Sequence, residues 1–226
     1  APAVLAALTE QDLADLRLYS DPEGTALRAK LAELYGVEAG QVFLSNGSDD
    51  ILNFAFMAFG ADGAVFPALT YSFYPVFANL HGVAYETVPL REDFTLDVAG
   101  MQGKGKLTVF PNPNAPTGIA LPLDQVEAIV AANPDHVVVV DEAYVDFGAD
   151  SAVPLLQRYE NLLVVMTYSK SRSMAGARLG FALGSRALIQ DLEKLKYSTN
   201  PYNVNRLTLK LGQAAVDSDG YFREKA

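Results

Sequence analysis

Two runs, Val137–Val140 and Leu162–Met166, carry no polar residue on either face. A strand with one face in water alternates apolar and polar residues, whereas one covered by helices on both faces does not. Both runs therefore require a sheet enclosed between two helical layers. The rest of the chain supplies those layers, because strand-like runs alternate with stretches of helical period, as crossover connections demand. Strands are expected around 41–45, 63–67, 83–90, 106–111 and 178–185, besides the two runs above. Helices are expected over 25–37, where Leu27, Leu31 and Leu34 share a face and Gly36 stops the helix; from about Asp49; over 71–82 despite Pro75; over 122–134 with Pro122 near its start; over 186–197; and over 203–222. The fold class is α/β, three layers, with a mostly parallel sheet flanked by helices.

Composition narrows the chemistry. Half of the 226 residues are hydrophobic, enough for a sizeable core, and no apolar stretch reaches the ~18 residues of a membrane span. A net charge of −10 argues against a nucleic-acid footprint. With no cysteine and only His81 and His136, the chain has neither disulfides nor thiolate metal ligands, and no metal site is expected. Lys, Tyr, Asp, Asn, Ser and Arg must carry any reaction. The start "APAVLAAL" has no basic head like that of a signal peptide, so a cytoplasmic location is expected.

Three strands end in polar clusters: "SNGSD" after the first, "DEAY" after Val140, "YSK" after Met166. In a parallel sheet these share the carboxyl rim, where ligands of open α/β sheets bind. Lys170 is there either a solvated loop residue or a reactive amine. Gly47, Ser48 and Asp49 open a helix, and the free N–H groups at its positive end suit a phosphate; the plainer alternative is an N-cap by Ser48. Asp141 is a carboxylate at the mouth of a buried strand, costly unless partnered, and a cationic ring nitrogen is such a partner. Arg178 is suited to grip a phosphate oxygen. An amine, a phosphate cradle and a carboxylate for a pyridinium nitrogen are the parts pyridoxal 5'-phosphate needs.

"SKSRSMAGARLGF" resembles the lysine block of the pyridoxal-phosphate aminotransferases related to aspartate aminotransferase, and "NPNAPTG" and "DEAYVDF" resemble the two blocks that precede it. "YSDPEGTALRAKLAELYGV" and "NGSDDILNFAF" are more specifically similar to the histidinol-phosphate aminotransferases. The likeness runs from about Tyr19 to about Gln213. It implies a transfer of the amino group from histidinol phosphate to 2-oxoglutarate, giving imidazole-acetol phosphate and glutamate, in histidine biosynthesis. Lys170 would form the Schiff base and shuttle the proton, Asp141 would keep the ring nitrogen protonated, and Tyr144 would hydrogen-bond the ring hydroxyl. Tyr71 would stack on the ring, and Ser48, Asp49, Ser169 and Arg178 would hold the phosphate. Tyr19 would reach the phosphate of the other subunit in a homodimer.

The resemblance has gaps. Where the family carries a second asparagine this chain has Ala115, and Asn114 is the expected substitute. The family also has an N-terminal arm and a small domain that would lie outside residues 1–226, including the arginine that grips the substrate's acidic end. Residues 1–22 are thus expected to lead into the domain, 23–205 to form the cofactor-binding large domain, and 206–226 to be a helix leading towards the small domain. Such a chain is expected to bind the cofactor yet turn over poorly. Two other readings use the same residues: a pyridoxal-phosphate decarboxylase or lyase acting on a phosphorylated amino acid, and a non-catalytic domain that senses the cofactor. The acidic balance counts against the second, since such sensors carry a basic DNA-binding module.

Overall fold

The computed structural model describes residues 1–226. Seven strands, β1 (Val42–Ser45), β2 (Ala64–Pro67), β3 (Tyr85–Val88), β4 (Leu107–Pro111), β5 (Val138–Asp141), β6 (Leu162–Thr167) and β7 (Gly180–Gly184), form one sheet in the order β1-β7-β6-β5-β4-β2-β3. Strands β3, β2, β4, β5 and β6 are parallel; β7 runs antiparallel to both neighbours, so β1 points the same way as β6. The exception has a covalent cause. Parallel return needs a crossover, usually a helix, and between β6 and β7 residues 168–179 form no helix longer than the turn of Ala175–Ala177.

The three layers show in the way successive strand residues divide between two cores. Val138, Val140, Leu162, Val164 and Met166 join a cluster with Leu27, Leu31, Ile129, Leu209 and Phe222. Val139, Leu163 and Val165 join one with Ile51, Leu52, Phe56, Phe77 and Leu192 on the opposite face. A strand alternates its side chains across the sheet, so only a chain apolar at consecutive positions can feed both clusters. That is why β5 and β6 carry no polar residue before their ends.

Helix Thr25–Tyr35 stops at Gly36, whose φ of 67° is the left-handed cap that glycine takes without strain. Pro75 lies in the first turn of helix Tyr74–Leu80, where its missing N–H costs nothing, and Tyr71 falls on the loop before it rather than inside it. The last expected helix is two, Arg206–Asp217 and Asp219–Lys225, broken at Ser218. Lys196 reads from sequence as a solvated helical lysine but is only 4% exposed. Its amine donates to the Pro22 carbonyl and lies near the Phe43 ring, because that face of helix Arg186–Thr199 packs on the 21–24 turn. No helix is long and apolar enough to cross a membrane.

Candidate active site

The three polar strand ends do converge. A cleft at the carboxyl rim is lined by Ser48 and Asp49 after β1, Asp141, Ala143 and Tyr144 at the end of β5, and Thr167, Ser169 and Lys170 at the end of β6. Tyr71, Pro111, Ala115, Ala175 and Arg178 complete it.

The phosphate-like end begins at helix Ser48–Phe59. Ser48 is its first residue and not its cap; the cap position is Gly47, and no side chain satisfies the first-turn N–H groups. Those donors are left pointing at the cleft. Gly47 has φ 88°, and a Cβ there would sit 2.7 Å from the Arg178 guanidinium, so only glycine lets that cation close over the helix start. Arg178 reaches Asp49 at 3.5 Å, and Tyr71 donates to the other oxygen of the same carboxylate at 2.8 Å. Ser169 also borders the cleft, its N–H and hydroxyl fixed by the Thr167 hydroxyl at 3.1 and 3.0 Å.

At the other end Asp141 closes β5 and is 5% exposed. Burial pushes its carboxyl up to about 6 although Tyr74 donates to it at 2.9 Å and the Ala143 N–H at 3.2 Å. Burial disfavours the charged form more than these two donors favour it. A cation in the cleft would restore the balance. Lys170 is exposed at the mouth, its amine 5.2 Å from the centre of the Tyr144 ring. Amine, buried carboxylate and uncapped helix thus border one space.

Two expected residues lie elsewhere. Asn114 does not replace the missing asparagine: its amide is spent on the Leu69 carbonyl and Thr117, its oxygen accepts from Thr70, and Ala115 is the residue that faces the cleft. The turn consumes the side chain before it can reach a ligand. Tyr19 is exposed and stacked on Tyr202 at 4.4 Å, outside the cleft. Conversely, Tyr74 and Thr167 were not singled out from sequence. Tyr74 follows Tyr71 at a spacing of three, the one signal that both serve the same region. Thr167 has no signal beyond its place between Met166 and Ser169.

The family of class I and II aminotransferases matches residues 1–223. The chain belongs to that family. It is 53% identical over 226 residues to histidinol-phosphate aminotransferase 1 of Bordetella parapertussis and 50% identical over 224 residues to histidinol-phosphate aminotransferase 1 of Pseudomonas aeruginosa. Each match covers 98% of this chain and 64% of the relative, so the chain spans just under two thirds of their length. Among solved structures, the histidinol-phosphate aminotransferase of Sinorhizobium meliloti in complex with pyridoxal-5'-phosphate superposes with a TM-score of 0.87 at 26% identity, covering 99% of this chain and 63% of that one. The aminotransferase family accounts for both the sheet and the blocks that line its rim.

Proposed function

We propose that this chain is the cofactor-binding part of a pyridoxal-phosphate-dependent histidinol-phosphate aminotransferase. The observation that carries the reading is the pairing, across one cleft, of the exposed Lys170 amine with the buried, cation-seeking carboxylate of Asp141. The donor set fits the cofactor. The uncapped helix start, Ser169 and Arg178 suit a phosphate, Asp141 suits a protonated ring nitrogen, and Tyr144 and Tyr71 suit the ring's hydroxyl and face. Bound there, pyridoxal phosphate supplies an aldehyde for an amine to condense with and a ring that withdraws electrons from the neighbouring carbon.

The chain's own residues do the rest. Lys170 holds and moves a proton at its Nζ, and Asp141 keeps a proton on the ring nitrogen by remaining charged beside it. Tyr74 keeps Asp141 oriented and favours its ionised form, while Arg178 and the helix dipole neutralise the phosphate. In the intact enzyme we expect a homodimer in which Tyr19 reaches the partner's site and 2-oxoglutarate is the amino acceptor.

The test supplies histidinol phosphate, pyridoxal phosphate and 2-oxoglutarate and follows glutamate. Glutamate formed in proportion to histidinol phosphate consumed supports the reading. Release of carbon dioxide from a phosphorylated amino acid, with 2-oxoglutarate untouched, would replace it by the decarboxylase.

Tyr74→Phe gives a pH-dependent prediction. Asp141 must be ionised to partner a ring cation, so cofactor affinity should decline as pH falls through about 6. Removing the Tyr74 hydroxyl removes a bond that favours the charge and moves that decline to higher pH. At pH 6.5 the loss should be roughly tenfold or more, the usual effect of losing one hydrogen bond to a charged group. A fluorescence titration with pyridoxal phosphate from pH 5 to 8 checks it; superimposable curves for parent and variant would remove Tyr74 from this role.

A further inference from the structure

Two residues beyond Lys170 lies a charge that the cleft does not use. Arg172 is 8% exposed, with its guanidinium directed away from the cleft into the body of the domain. It pairs with Asp219 at 2.6 Å, on the last helix, and lies 3.8 Å from Asp146. Its planar group stands over the Phe222 ring at 5.3 Å. Asp146 also accepts from the hydroxyl of Ser171, the residue between Lys170 and Arg172, and it sits in the Val145–Phe147 turn that begins at Tyr144. Three segments are therefore tied together: the lysine loop, the Tyr144 turn and helix Asp219–Lys225.

Arg172 is the buried charge of the lysine loop. Lys170 itself is exposed and Ser173 has φ 53°, a conformation a serine keeps only when its surroundings impose it. The small space around the guanidinium is bordered by two acids and two phenols, Glu142, Asp146, Tyr35 and Tyr168, of which Glu142 and Tyr168 are buried. Glu142 is held from the other side by Ser151 and the Ala152 N–H, so its carboxylate is already committed. Arg172 is the single cation in this space, and its fork faces two carboxylates, Asp219 in contact and Asp146 3.8 Å away.

We propose that Arg172 is the positioning residue for Lys170: by clamping its loop to helix Asp219–Lys225 and to the Tyr144 turn, it holds the amine over the cleft beside Asp141. The site thereby depends on a helix that contributes no residue to its lining. This rests on the reading of Lys170 as the amine that meets the cofactor.

The test separates holding the cofactor from bonding it. Pyridoxal phosphate bonds Lys170 by forming a C=N bond from amine and aldehyde with loss of one water; pyridoxine phosphate lacks the aldehyde and reports the cradle alone. Arg172→Met strands Asp219, so Arg172→Met/Asp219→Asn, which removes both charges, is the main variant, with Arg172→Lys as the conservative one. The double variant should bind pyridoxine phosphate within about twofold of the parent but form the visible Schiff-base absorbance at least ~10-fold more slowly, since small misplacements of a reacting group carry large rate penalties. Arg172→Lys, which keeps the charge but not the fork, should fall between.

Parent-like rates of Schiff-base formation in both variants would overturn the proposal. So would an equal loss of pyridoxine phosphate binding, which would make Arg172 a support of the whole cleft. Should the double variant not fold, Arg172→Lys decides alone by the same two readings. Failure of the parent chain to form the absorbance would strike the proposed function instead.

Discussion

Borohydride added after pyridoxal phosphate fixes the cofactor on Lys170 and on no other lysine, and Lys170→Ala takes no label. Lys170 is the only lysine that lines the cleft. Lys194 and Lys210 are held by Asp191 and Asp12 on helix surfaces far from any phosphate cradle. Lys196 is the sterner control, because burial lowers its pKa and a lysine of that kind is often reactive. It is sealed against Phe43 and the Pro22 carbonyl, however, with no room for an aldehyde. Peptide mapping by mass spectrometry reads the outcome, and a label on Lys196 would show that low pKa outweighs position. Amino transfer from histidinol phosphate should fall by at least ~10⁴-fold in Lys170→Ala, since that one group both bonds the cofactor and moves the proton.

Asp141→Asn should preserve the fold and most of the phosphate contacts while removing amino transfer by on the order of 10²–10³-fold, the usual scale for one preorganised electrostatic partner. The amide keeps the shape of the carboxylate and can still pair with Tyr74 and the Ala143 N–H. What it lacks is the charge that holds a proton on a ring nitrogen. Because burial raises Asp141 to about 6 in the cofactor-free chain, a parent protonated at pH 5 before the cofactor is added should resemble the variant. Activities of the two, measured at subsaturating cofactor, should therefore converge as pH falls through that value, because it is the cofactor-free chain that titrates there. Single-turnover rates from pH 5 to 8 check this; parallel profiles would show that the charge of Asp141 is not what the reaction uses.

The fold was legible in the chain for a local reason. A strand covered on both sides must be apolar at consecutive positions, and Val137–Val140 and Leu162–Met166 state that requirement in a single dimension. Their polar ends, Asp141 and "YSK", place the site just as locally, because parallel strands bring their carboxyl ends to one rim. The antiparallel β7 was not legible in the same way: nothing in "RLGFALGS" encodes direction, which follows from the missing crossover.

Side-chain destinations divide along the same line. Lys170, Asp141, Tyr144, Ser169 and Arg178 follow from motif and strand end, since each sits where its own strand or turn delivers it. Asn114 reads equally well as a ligand, yet its amide is claimed by Leu69 and Thr70, some forty-five residues earlier in the chain. Lys196 reads as solvated but is covered by the 21–24 turn, and Arg172, two residues past Lys170, pairs with Asp219 on the last helix. The sequence alone determines which residues a strand carries to the rim, because period and polarity are properties of neighbours along the chain. Only the tertiary structure decides which polar groups remain free there, because hydrogen-bond partners and burial come from segments that meet only in the fold.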